Sequence, residues 1–231
     1  MLEVIILAAG QGRRMQSSLP KVLHTLAGQP LVVHVLERAR KLGAQQIHVV
    51  VGHGAEAVEA TVSAADVQCH WQAEQWGTGH AVQQAIDACQ ADSTVLVLFG
   101  DVPLIAEQTL REVVSAAEAG VAMLSANLEN PSGYGRVERD PQGEFIAVVE
   151  EQDATEAQRQ LTEINTGVLA SNADALKNWL ARVDNQNAQS EFYLPDVLGL
   201  ARLDGQAVTV VCSVNVFDTL GVNSPQQLEE L

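Results

Sequence analysis

An α/β fold with a mixed, mostly parallel central sheet and a smaller β-rich lobe is predicted by three features of the sequence. The first half alternates short β-branched apolar runs with longer helical patterns, the signature of βαβ crossovers. Turn chemistry in Asn-Pro-Ser-Gly-Tyr-Gly then interrupts that rhythm near residue 130. Beyond it, Arg-Val-Glu-Arg-Asp and Glu-Phe-Ile-Ala-Val-Val-Glu flank the Asp140 to Gly143 turn as an antiparallel hairpin. The strands of the first half are Leu2 to Ala8, Gln46 to Val51, Val67 to Gln72 and Thr94 to Phe99. Helices run from Pro30, at an N1-like position, to Gly43, from Thr78 to Cys89, and from Ile105 to Ala119.

The texture changes after Val121 to Leu128. The second half reads as a helix over Ala154 to Leu161, a strand over Ile164 to Ala170, a helix over Ala173 to Arg182, and a strand over Gln206 to Cys212. Ser224-Pro225 opens a capped helix that stops after about two turns, where the chain stops. Residues 1–231 read as a single domain without a linker, and no hexapeptide repeat points to a left-handed β-helix.

Composition narrows the function. Hydrophobic residues make up 47% and charged residues 18%, which places the chain among folded proteins. Lys and Arg number 13 against 29 Asp and Glu, and the net charge of −16 disfavours nucleic acid and anionic membrane as partners. Cys69, Cys89 and Cys212 have no metal spacing and read as small hydrophobes in a reducing cytoplasm. The apolar start carries Glu3 and lacks a basic lead, so it reads as a strand and not as a signal segment. No run is long enough to span a bilayer.

Against that negative background, Arg13, Arg14 and Lys21 crowd three cations into nine residues. They follow strand Leu2 to Ala8 directly, where Gly10 and Gly12 can turn tightly and aim backbone N–H groups at an anion. The dinucleotide fingerprint fails because Met15 stands at its third glycine, and no Gly-Lys-Ser/Thr completes a Walker A loop. Pro20 stiffens the backbone before Lys21, so that the ammonium projects back toward the strand end. Arginine forks and a lysine point charge together suit a polyphosphate.

Strand Thr94 to Phe99 ends in Gly100-Asp101, which puts a lone carboxylate where open α/β sheets bind ligands. Asp101 is a candidate Mg²⁺ ligand, since that ion takes few protein oxygens and fills its shell with phosphate and water; capping the Pro103 turn is the alternative. Gln72 opens Gln-Ala-Glu-Gln-Trp-Gly-Thr-Gly, and its amide carries the donor and acceptor that an imide edge such as uracil's requires. There is no G-x-S-x-G elbow and no H-E-x-x-H. His24, His34, His53 and His80 lack ligand spacing and read as structural or exposed, and Trp71, Trp76 and Trp179 read as packing residues.

In order, the runs LAAGQGRRM, LPKVLHTLAG, QAEQWGTGHA, FGDVPL, GYGR, EINTG and GVN span nearly the whole chain. Together they resemble the uridylyltransferase part of the bifunctional bacterial GlmU family. That resemblance implies a Rossmann-like nucleotidyltransferase fold joining UTP to N-acetylglucosamine 1-phosphate with Mg²⁺, giving UDP-N-acetylglucosamine and pyrophosphate. It implies nucleotide contacts from Leu7, Ala8, Ala9, Gly10, Gly12, Gln72, Gly77, Thr78, Phe99 and Gly100. Phosphate contacts and catalysis fall to Arg14 and Lys21, and the metal to Asp101 and Asn223. The sugar pocket falls to Gly135, Glu150, Asn165, Thr166 and Tyr193. Residues 1–128 and 206–231 then form mainly the nucleotide and metal lobe, and 129–205 mainly the sugar-phosphate lobe. The family's acetyltransferase β-helix is not among these residues, so no acetyl-CoA chemistry and a monomeric or weakly associated chain are expected.

Five positions depart from the family pattern: Phe99 for Tyr, Glu151-Gln152 for His-Lys, Pro195 for Thr and Arg13 for Thr. The added carboxylate and missing cation predict weaker sugar-phosphate binding, with Arg13 adding charge on the nucleotide side. The alternatives are a nucleotidyltransferase for another NTP or sugar phosphate, a glycosyltransferase, and a non-catalytic nucleotide-sugar sensor.

Overall fold

The computed structural model describes residues 1–231 apart from the side chain of Arg13, so the charge expected from that residue lies outside the described part. The chain opens with β1 (Leu2–Ala8), a small ribbon β2 (Thr25–Leu26) and β3 (Gln29–Pro30), and α1 (Leu31–Lys41). β4 (Gln46–Val51), α2 (Ala55–Val62), β5 (Val67–Trp71), α3 (Thr78–Ile86), β6 (Thr94–Phe99), α4 (Glu107–Ala116) and β7 (Gly120–Asn127) follow. The second half adds β8 (Arg136–Arg139), β9 (Phe145–Val149), α5 (Glu156–Arg159), β10 (Glu163–Asn172), α6 (Ala173–Leu180), α7 (Asp196–Leu203), β11 (Ala207–Cys212) and α8 (Pro225–Glu229).

Seven strands lie in the order β11-β7-β10-β6-β1-β4-β5, with the β8–β9 hairpin joined to β10. β1 pairs in parallel with β4 and β6, β4 with β5, and β11 with β7, while β10 runs antiparallel between β6 and β7. Strands buried on both faces read as continuous apolar runs. Val4 to Ile6, Val49 to Val51 and Val95 to Leu98 fit that rule, all being buried. Alternate residues supply two cores: Val4, Ile6, Leu96 and Leu98 meet α1, α2 and α4, while Ile5, Val95 and Val97 meet α3, α6 and α7.

Several expectations need adjusting. Helix α1 starts at Leu31 with Pro30 as its N-cap, one residue later than predicted. Helices α2 and α7 were not read from the sequence; each is only eight residues. Only the β8–β9 hairpin forms the β-rich extension within 129–205, because apolar β10 is drawn into the main sheet and α6 and α7 cover that sheet's face. Trp179 packs, but Trp71 at the end of edge strand β5 and Trp76 in the following loop are exposed. Cys212 is exposed on edge strand β11, not buried.

Glu151, expected to burden the sugar-phosphate site, has a different role. Its carboxylate accepts from Gly133 N (3.1 Å) and pairs at 2.8 Å with the guanidinium of Arg136, which is 1% exposed. The Gly133 N–H, with Arg136 adding to it, holds the Glu151 carboxyl below its usual 4.5. Its charge neutralises a buried cation and clamps the Gly133 turn, so the predicted repulsion from Glu151 is corrected. A carboxyl with a depressed folded-state pKa stabilises above its unfolded pKa and loses that contribution as pH falls below about 4.5. Glu151→Gln leaves Arg136 unpaired and is expected to cost about 2–3 kcal/mol at pH 7, less than a fully buried pair because Glu151 is partly exposed. Urea unfolding at pH 7 and pH 4 checks this, with a smaller difference expected at the lower pH.

Candidate active site

β1 and β6 are neighbours in register, with Leu7 opposite Phe99, so their following loops leave the sheet side by side. Pro20, buried at φ −50° and ψ 136°, enters the single turn Lys21–Leu23 and delivers Lys21 to this place. The Lys21 ammonium pairs with Asp101 Oδ2 and donates to Asn223 Oδ1 at 3.1 Å. Asn223 arrives from the far end of the chain, tied down by Val222 N donating to Asp101 O (2.9 Å) and Gln227 Oε1 accepting from Asn223 N (2.8 Å). Its own Nδ2 donates to Gly221 O, which turns Oδ1 toward the ammonium. Asp101 is 8% exposed and spends its carboxylate on this clasp, not on a turn cap at Pro103.

Two cavities open on either side of Lys21, Thr78, Phe99 and Asp101, which line both. The first is walled by Leu7, Ala8, Ala9 and Gly10 from the end of β1 and by Gln72, Gly77 and Thr78 from the β5–α3 loop. Gly12 and Gly100 sit behind these walls: Gly12 backs onto the Lys21 side chain, and Gly100 N donates to Leu7 O (2.9 Å).

The second cavity holds Arg14, Gly135, Glu150, Asn165, Thr166 and Asn223 on its walls. A register shift in β10 between Asn165 and Leu169 creates a bulge here, with Gly167 at φ +87° against the Phe99 ring. The bulge re-aims the strand: Asn165 Oδ1 accepts from Gly167 N (2.9 Å), and Thr166 Oγ1 donates to Leu124 O (2.8 Å). Gly135 is needed for close approach, since a Cβ there would stand 2.9 Å from Glu150 Oε1. Burial, reinforced by Asp196, Asp153 and Glu191, raises the Glu150 carboxyl to about 7. Burial likewise brings Asp196 to about 6.

Tyr193 does not reach either wall. It is buried, its hydroxyl donates to Asp153 Oδ2 (3.2 Å) and accepts from Gln189 Nε2 (2.9 Å), and burial raises its pKa to about 12. It braces the acidic side of the second cavity from behind. Tyr134, Gln75 and Glu191 line the cavities without having been read from the sequence. Tyr134 was within reach in the Gly-Tyr-Gly-Arg run, whereas Glu191 lies in a loop with no pattern. Glu3, His48 and Cys89 form another cluster of possible metal ligands among the described residues, at the opposite end of β1. Glu3 and His48 are already bound to each other (3.0 Å), to Gln90 N and to His70.

An open α/β sheet whose strand-end loops bring a lysine and a carboxylate together with an amide oxygen at the seam of two pockets defines an α/β domain with its ligand site at the carboxyl ends of the strands. The chain matches the MobA-like NTP transferase domain over residues 4–164 and belongs to that family. It is 50% identical over all 231 residues to the bifunctional protein GlmU of Marinobacter nauticus, of which it spans 51%. A crystal structure of a candidate glucose-1-phosphate thymidylyltransferase from Bacillus anthracis, in complex with a sucrose, superposes with a TM-score of 0.79. That match covers 100% of this chain and 93% of the other at 15% identity, and it shows a shared fold. Among the described residues no helix is long and apolar enough to cross a membrane.

The raised Glu150 carboxyl makes a signed prediction. A folded-state pKa above the unfolded value of 4.5 lowers stability as pH rises from about 4.5 through about 7. Glu150→Gln is expected to raise the thermal midpoint by several degrees at pH 8 and to leave it nearly unchanged at pH 4.5, read by melts across pH.

Proposed function

We propose that this domain transfers a uridylyl group from UTP to N-acetylglucosamine 1-phosphate, releasing pyrophosphate. The observation that carries the reading is the shared seam. Nucleotide in the first cavity and sugar phosphate in the second would bring their phosphates together at Lys21 and Asp101, which line both. The GlmU relative supports uridine and the amino sugar as the particular substrates.

The sugar phosphate needs no general base, because a phosphate monoester with a second pKa near 6 is already mostly dianionic at neutral pH. One of its oxygens attacks the α-phosphorus, the new P–O bond forms, and the bond to the β-phosphate oxygen breaks with its electron pair leaving on pyrophosphate. The barrier is the meeting of two polyanions in a chain of net charge −16. Lys21 neutralises charge at the meeting point, Arg14 adds a fork at the edge of the second cavity, and the β1 loop holds the nucleotide in line.

Mg²⁺ fits the same place. The Lys21 ammonium already stands as a cation between Asp101 Oδ2 and Asn223 Oδ1, two hard oxygen donors of the kind Mg²⁺ takes. Asp101 and Asn223 would hold the ion, which supplies neutralisation of the phosphates when bound. Asp101→Asn is expected to raise the Mg²⁺ concentration for half-maximal pyrophosphate release at least several-fold; an unchanged titration would reject the metal role.

Pyrophosphate release measured with each of the four NTPs against a panel of hexose and hexosamine 1-phosphates tests the reading. UTP with N-acetylglucosamine 1-phosphate is expected to be the fastest pair, and no release with any pair would overturn it. Lys21→Ala is expected to lower turnover on the order of 10²–10³-fold, by analogy with the loss of one oxyanion donor. Its thermal midpoint should fall far less; equal losses would mark Lys21 as structural.

A further inference from the structure

Gln72 is a buried polar side chain, 3% exposed, on the wall of the first cavity. Its Nε2 donates to Gly77 O at 3.2 Å and meets His80 Nδ1 at 3.0 Å. A carbonyl oxygen only accepts, so the Gly77 contact fixes which amide atom is nitrogen. Both amide hydrogens are then committed, and His80 Nδ1 must accept, which makes His80 neutral with its proton on Nε2. Among the described residues no group bonds Gln72 Oε1. It is the amide atom left to meet a ligand.

His80 is held for this task. It lies in the first turn of α3, its carbonyl accepts from Gln84 Nε2 (2.9 Å), and its ring lies between Trp76 and Phe192, with centroids 5.1 and 6.3 Å away. Burial lowers its pKa against the opposing pull of the Glu74 backbone and carboxylate, in keeping with an unprotonated acceptor.

We infer that His80 is a specificity-determining positioning residue: by gripping the Gln72 amide it presents a carbonyl oxygen alone to the base, so the cavity accepts bases with a ring N–H at that edge and rejects cytosine. This rests on the proposed uridylyl transfer. Uracil and thymine carry N3–H, which donates to Oε1. Cytosine carries an N3 lone pair, which would face Oε1 acceptor to acceptor. Without the His80 acceptor only the longer contact to Gly77 O, at 3.2 Å, still orients the amide, and the half-turn that offers its NH₂ to cytosine N3 then gives up one hydrogen bond instead of two. An unmet buried polar contact costs about 1–3 kcal/mol, or roughly 5–150-fold in discrimination.

The test compares the wild type with His80→Leu, which removes the acceptor, and His80→Asn, whose amide oxygen can replace Nδ1. Steady-state pyrophosphate release is measured with UTP and with CTP, and calorimetric binding of each nucleotide is measured without the sugar phosphate. His80→Leu is expected to lower the ratio of kcat/KM for UTP over CTP by about 5–150-fold. The change should appear mainly in KM and in nucleotide Kd, with kcat for UTP within a few-fold of wild type, because His80 touches no phosphate. His80→Asn is expected to restore most of the ratio. Should His80→Leu fail to fold, His80→Ala, which only opens space, carries the same comparison. An unchanged ratio in the leucine or alanine variant overturns the inference, and so does a failure of asparagine to restore it. A wild type that turns over neither UTP nor CTP overturns the parent reading instead.

Discussion

The clasp of Lys21 by Asp101 and Asn223 organises this molecule. It joins the loop after β1, the loop after β6 and the segment before α8, three stretches far apart in the chain. Without a positive group there, the loop after β6 and the segment before α8 would leave a carboxylate and an amide oxygen facing each other unpaired in a strongly acidic chain. With the ammonium in place, the same oxygens form a small neutral junction between two pockets. Because the pair is only partly buried, at 17% and 11% side-chain exposure, water and ligand can still reach it.

The fold supports the junction in a direct way. Parallel pairing of β1 and β6 puts both carboxyl ends on one edge, and continuous apolar strands fix their register against helices on both faces. The antiparallel strand β10 then runs past the same edge, and its bulge at Gly167 turns Asn165 and Thr166 into the second pocket's wall. Rigid strands thus place the junction, while the inferred base selection falls to Gln72, in the loop after β5, and His80, in the first turn of α3.

Much of this was legible in the sequence. The apolar runs ending in Ala8 and Phe99, and the cation cluster after the first of them, pointed to the strand tips because parallel buried strands and anion loops each leave a local pattern. Asp101 could be singled out from its position alone. Asn223 could not: its meeting with Lys21 is a tertiary contact across 202 residues, and only family resemblance suggested it. Tyr193 was assigned to the sugar pocket and instead braces Asp153, since motif membership does not say which way a side chain turns. Glu151 was read as an intruding charge because its partner, the buried Arg136, is invisible until β8 and β9 are paired. Helices α2 and α7 escaped notice although α6, of the same length, was read: neither opens on a side-chain N-cap, whereas Asn172 caps α6.

The proposed reaction requires the polyphosphate to lie at the Lys21–Asp101–Asn223 junction, with its base toward Gln72. A crystal structure with UTP and a divalent ion bound is the most direct measurement. The triphosphate is expected against Lys21, the ion on Asp101 and Asn223, and the uracil ring N–H on Gln72 Oε1. A nucleotide seated away from both strand tips, or a base turned away from Gln72, would contradict it.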